Sequence, residues 1–153
     1  MKAMLIILAM VCANCFASAS EPLASVESQD LGPVPEVIRS AIESDISFRP
    51  YGSLNCKMQG KKIPLSSDSS VSTWFVTTSQ ACGWGAALGP IWLVKKTSTG
   101  NPSLMLSTGG YSVAIAAKSR GGFVGIYIDF GTAEESVRKR YFFDGEKYVT
   151  STN

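Results

Sequence analysis

From Val71 to Thr150 the chain alternates apolar with polar residues in short runs, broken at Gly109-Gly110, Gly121-Gly122 and Asp144-Gly145. A period of two puts every second side chain on one face of an extended backbone, and the glycine pairs supply the conformations that tight turns need. Val71–Thr78 is β-branched and aromatic. Ile91–Lys95 and Ser103–Ser107 flank a polar loop, Thr97–Pro102. In Tyr111–Ala117, Tyr111, Val113, Ile115 and Ala117 share a face, and in Phe123–Phe130 so do Val124, Ile126, Ile128 and Phe130. Arg140–Phe143 and Lys147–Thr150 surround Asp144-Gly145, the strongest hairpin signal in the chain. Phe142 and Phe143 cannot lie on one face of a strand.

Ahead of the strands, Pro33-Val34-Pro35-Glu36 has the signature of a helix start, with proline in the first turn and a carboxylate at the positive end of the dipole. Val34, Val37, Ile38, Ala41 and Ile42 recur at helical spacing, and the helix is expected to stop before Pro50. The expectation is an α+β domain over residues 34–153. In it an N-terminal amphipathic helix packs on a curved, mainly antiparallel β-meander of about six or seven strands.

The first nineteen residues read as an export signal. Lys2 supplies the positive start, Met4–Val11 the apolar run, and Ala17-Ser18-Ala19 the small-x-small cleavage pattern. Val11 and Asn14 stand directly before Cys12 and Cys15, where a lipidated cysteine is preceded by a small residue. The mature chain is then expected to begin near Ser20, with residues 20–33 forming a flexible acidic arm. No further apolar stretch is long enough to span a bilayer, so no membrane span is expected after cleavage. The expected location is exported, periplasmic or secreted.

Cleavage leaves Cys56 and Cys82, which in an oxidising compartment pair most simply with each other. The chain contains no histidine. That removes the Ser-His-Asp and Cys-His routes to a nucleophile, and no cofactor or metal is expected. Charge is unevenly spread. Residues 20–50 carry Glu21, Glu27, Asp30, Glu36, Glu43 and Asp45 against Arg39 and Arg49, and the rest of the mature chain is mildly basic. Nothing clusters densely enough to indicate nucleic acid as a partner.

Cys82-Gly83-Trp84-Gly85-Ala86-Ala87-Leu88-Gly89-Pro90 is the most unusual stretch. It lacks the Lys-Ser/Thr of a phosphate loop and the third glycine of a dinucleotide loop. It reads either as a sharp disulfide-anchored turn or as a protruding loop presenting Trp84 to a partner, with Gly83, Trp84, Gly85 and Gly89 as candidate binding residues. Ser136-Val137-Arg138-Lys139 matches a Ser-x-x-Lys hydrolase element, but its companion elements are missing. Asp129, Glu134, Glu135 and Asp144 are the carboxylates available for acid–base chemistry.

The Cys82–Leu93 segment and the closing Tyr141-Phe-Phe-Asp-Gly-Glu-Lys-Tyr148 resemble those of small exported bacterial (periplasmic) proteins of unknown function. The aromatic-Asp-Gly-x-x-Tyr hairpin is similar to that of many periplasmic modules. This resemblance implies a bacterial periplasm and carries over no functional residue. Taken together, the expected function is a non-catalytic protein-binding module of the cell envelope, of inhibitor or immunity type, whose partner is another protein there or outside the cell. The alternatives are a small hydrolase using carboxylates or Ser136 and Lys139, and a carrier enclosing a small apolar ligand.

Overall fold

The computed structural model describes residues 21–86, 88–131 and 136–150, with backbone alone at 117–120 and 136. The export signal, Ser20, Ala87, Glu134 and Glu135 lie outside the described residues. Within them the chain is mostly β: ten strands in two five-stranded antiparallel sheets. Sheet 1 runs in sequence order through β2 (Gly32–Pro33), β3 (Met58–Lys62), β4 (Val71–Thr78), β5 (Gly89–Thr97) and β6 (Ser103–Gly110). Sheet 2 holds β7 (Ser112–Arg120), β8 (Phe123–Gly131), β9 (Ser136–Phe143) and β10 (Tyr148–Thr150), with β1 (Pro22–Ser25) on the far edge of β7.

The sheets enclose one core. Phe75, Ile91, Leu93 and Met105 come from sheet 1, and Val113, Ile126, Ile128 and Phe143 from sheet 2, all of them buried. The chain crosses between sheets at Gly110, where a side chain has no room: a Cβ there would lie 2.7 Å from Ile128 and 2.9 Å from Ile91. The backbone N–H of Tyr111 then donates to the Asp129 carbonyl (2.8 Å), which starts the second sheet. The closing hairpin is as its sequence predicts. Asp144 accepts from the backbone N–H groups of Glu146 and Lys147 (2.9 Å each), and Tyr148 stands opposite Phe143. Burial pushes the Tyr148 phenol up, and its hydroxyl donates to the Val124 carbonyl (2.8 Å).

The other face of sheet 1 carries the helices. In α1 (Glu36–Glu43), Ile38 and Ile42 bury against Val76, Trp92 and Val94. A 3-10 turn (Ile46–Phe48), capped by Asp45 accepting from the Ser47 N–H (2.9 Å), leads into α2 (Arg49–Ser53), where Pro50 sits in the first turn. The Trp92 indole N–H donates to Ser47 Oγ (3.0 Å), and Tyr51 meets the same ring edge-on at 5.3 Å. β5 is therefore covered on both faces, which is why Ile91-Trp92-Leu93-Val94 is apolar without alternation.

Three expectations are corrected. The α+β class gives way to a two-sheet β fold, since α1 has eight residues and α2 five. The missing strands carry little signal: β3 reads Met-Gln-Gly-Lys-Lys and β2 is only Gly-Pro. The acidic arm is instead β1 and β2, with Ala24 and Val26 buried in the core and Lys61 pairing with Asp30 (2.8 Å). Its acids had masked two short apolar contacts. Val37, on the expected apolar stripe of the helix, and Ile115, on the face expected to be shared with Val113, are exposed, whereas Val113 is buried.

Two substitutions test this packing by urea unfolding. Gly110→Ala is expected to cost about 2 kcal/mol, because core side chains must yield to the new methyl. Thr77→Val is expected to stabilise by about 1 kcal/mol, because Thr77 Oγ1 is buried without a hydrogen-bond partner.

Candidate functional site

The Cys56–Cys82 disulfide forms, with a Cα–Cα distance of 5.6 Å across a separation of 26 residues. Closing that loop stabilises the fold by about 3–4 kcal/mol on a chain-entropy account. It fastens the end of the helical layer to the turn leaving β4. On the first side, Asn55 turns left-handed (φ 54°) and the Cys56 N–H donates to the Tyr51 carbonyl (3.0 Å). On the second, Ser79–Cys82 is closed by the Cys82 N–H on the Ser79 carbonyl (3.1 Å), with Gln80 and Ala81 both left-handed (φ 55° and 52°). Asn-Gly usually fills such a turn, because a Cβ at positive φ costs about 1–2 kcal/mol per residue.

The sequence-predicted binding residues divide. Gly83 is exposed at φ 72°, and a Cβ there would fall 2.8 Å from the Tyr51 ring. Trp84 is half-buried and packs back onto the core. Its indole N–H donates to Thr78 Oγ1 (2.8 Å), which in turn donates to the Cys82 carbonyl (2.7 Å). Gly89 is buried beneath that ring, where a Cβ would lie 2.8 Å from it. Gly85 is exposed and exchanges backbone bonds with Leu88 (3.2 and 2.9 Å) around Ala86, which is left-handed too (φ 44°). Trp84 therefore holds the loop in place, and the loop presents its small residues outward.

Sequence reasoning missed the rest of this surface. Leu54 is 61% exposed and lies beside Gly83, where a Cβ would come within 3.5 Å of its side chain. Asn55, Gln80, Ala81 and Ala86 are exposed and are all the non-glycine residues at positive φ among the described residues. No motif marks an alanine or glutamine for a left-handed conformation; the cysteine pair and the Gly83–Gly89 loop pointed to this end of the molecule, but not to these residues. Residues 54–56 and 79–86 together make a knuckle at the disulfide. Arg49 and Lys57, on the first of its two segments or next to it, are exposed, and Lys57 lines a cavity with Arg39 and Glu43 beside Cys56.

The two carboxylate candidates among the described residues, Asp129 and Asp144, are each engaged within the fold. Asp129 is held in a fork by Arg138 (2.6 and 3.1 Å) and takes a bond from Ser112 Oγ (2.6 Å). Burial pushes its carboxyl up, and Arg138 with Ser112 draws it back below the ordinary value. Asp144 caps its own hairpin. Among the described residues no metal-holding group of cysteines and acids occurs, and no helix is long and apolar enough to cross a membrane. Comparison with protein-family models, with curated proteins and with solved structures finds no match.

Replacing Gln80-Ala81 with Asn-Gly is expected to raise stability by about 1–2 kcal/mol in urea unfolding, because the turn keeps its shape without the Cβ penalty. A second expectation concerns acid. The Asp129 pKa is lower folded than unfolded, so its contribution is present above the ordinary carboxylate pKa and fades as pH falls below about 4. Thermal melts from pH 6 to pH 2.5 should show a shallower acid loss in Asp129→Asn than in the native chain.

Proposed function

We propose that the chain is an exported, non-catalytic protein-binding module of the cell envelope, of inhibitor or immunity type, and that the disulfide-fastened knuckle is its docking surface. One observation carries this reading. Four exposed non-glycine residues, Asn55 and Gln80-Ala81 beside the two cysteines and Ala86 in the loop that follows, stand on left-handed backbone. Conformations that cost stability persist where the surrounding structure enforces them, and they concentrate at binding and catalytic sites. Here the disulfide on one side and Trp84 on the other do the enforcing.

The surface chemistry narrows the partner. Leu54, Ala81, Gly83 and Ala86 offer apolar contacts, and exposed Arg49 and Lys57 on the segment that carries Leu54, with Arg39 in the cavity beside Cys56, outnumber the one acid there, Glu43. A matching partner has a shallow apolar pocket rimmed with acids, so salt should slow association and weaken capture. The Trp84 ring takes no direct part, in contrast to a loop that inserts its aromatic into a cleft.

Immobilised mature protein should retain an acidic protein from an envelope extract, and 0.5 M salt should reduce the retention. Leu54→Glu/Ala86→Glu should abolish it, whereas Lys147→Ala, remote from the knuckle in sequence and on the opposite sheet, should not. Retention undiminished by the paired glutamates would remove the knuckle as the docking surface.

A further inference from the structure

Sheet 1 carries a second polar constellation, away from the knuckle, at the end of its helix-covered face. Lys62, Trp74, Val94 and Leu104 stand opposite one another across β3, β4, β5 and β6, so their side chains share one face. Ser72 and Lys96 form the next pair on that face, two residues further along β4 and β5. Val94 is buried beneath the helices, but Trp74, Leu104, Ser72 and Lys96 are only half-buried and Lys62 is exposed. The indole is thus bracketed by two ammonium groups, one directly across the sheet and one diagonal to it.

We infer that this platform binds an acidic glycan. Lys62 Nζ lies over the Trp74 ring, 5.8 Å from its centroid, and Lys96 Nζ reaches only the Thr97 carbonyl (3.4 Å). Among the described residues neither lysine has an ion-pair partner. A cation over an exposed ring is held by about 0.5–1 kcal/mol, so Lys62 exchanges it readily for a carboxylate and uncovers the indole for the C–H face of a pyranose. Beside the platform the β3–β4 connection forms an open groove of about 570 Å³, whose lining mixes apolar Pro64 and Val71 with Lys62, Asp68 and four serines. Ser67 Oγ donates to the Gly122 carbonyl (3.3 Å) and Ser72 Oγ to the Lys96 carbonyl (3.3 Å), which leaves each able to accept from a sugar hydroxyl. Ser66 Oγ, which accepts from the Asp68 N–H (3.1 Å), can still donate to one. Asp68 is itself an anion, since the Ser70 N–H (2.8 Å) and Oγ (2.7 Å) on its Oδ1 hold its carboxyl below the ordinary range. The ligand's carboxylates therefore belong at the Lys62 and Lys96 end and its neutral hydroxyls toward Asp68. A single aromatic platform with hydroxyls around it suits a sugar better than a nucleic-acid strand, which uses successive stacking rings and a phosphate track.

The test is calorimetric titration of the folded mature protein with oligogalacturonate, a neutral malto-oligosaccharide of equal length, and inorganic polyphosphate. The expected result is binding of the oligogalacturonate alone, weakened at least tenfold by Lys62→Ala/Lys96→Ala and by raised salt, and unchanged by Leu54→Glu in the knuckle. Trp74→Phe should weaken binding with the lysines intact; if that variant does not fold, the lysine pair, which lies on the surface, still decides the matter. Equal binding of the neutral sugar would overturn the role of the lysines, and equal binding of polyphosphate would make the site a general polyanion patch. No binding at millimolar ligand, or binding untouched by the lysine pair, would overturn the inference outright.

Discussion

The contact on which the rest of the molecule leans is the one at Gly110. There β6 ends against Ile91 and Ile128, one residue before the chain begins the second sheet. With no Cβ in the way, the two sheets close on Phe75, Leu93, Val113 and Ile126, and each such side chain is worth roughly 1.5–3 kcal/mol when buried. The same closure explains the second layer of packing. Once one face of β5 is committed to the second sheet, its other face presents Trp92 and Val94, which only a cover such as α1, the 3-10 turn and α2 can remove from water. The helices are thus a consequence of the sandwich rather than its organiser.

Reading from sequence succeeded where local rules are strong. The Asp144-Gly145 hairpin, the glycine-pair turn at 121–122 and the cysteine pairing follow from turn chemistry and compartment, and the structure has them. It fell short where the third dimension decides. Nothing local says that strands on either side of Gly109-Gly110 belong to different sheets, because that depends on what Gly110 must approach. Nothing local marks Met58–Lys62 as a strand either, since its order comes from pairing with β4 and from the Lys61–Asp30 ion pair. At the knuckle, Cys82 and Gly83 were legible, whereas Leu54 and Asn55 came into play only because the disulfide brings the end of α2 beside them. For Trp84 the sequence left a packed turn and a protruding loop both open, and its hydrogen bond to Thr78 in the preceding strand favours the packed turn.

The knuckle and the Trp74 platform occupy different parts of one sheet and differ in character. The first is small-residued, conformationally costly and tied covalently on both sides. The second is made of ordinary strand positions whose side chains face outward because the helices stop short of them. A protein with both would hold its partner through a rigid, shape-dependent contact and be retained nearby through a softer, salt-sensitive one. The two are separable by substitution, because no residue belongs to both.

Both ends of the described chain lie in the same sheet: β1 forms one edge of sheet 2 and β10 the other. The covalent cross-link, by contrast, joins segments that flank sheet 1. A tension drawn between the two ends therefore acts first on the edge strands of sheet 2, neither of which lies in the loop that the disulfide closes. Whichever edge gives way first, residues 57–81 are spared the load, because the disulfide carries the tension past the loop that it closes.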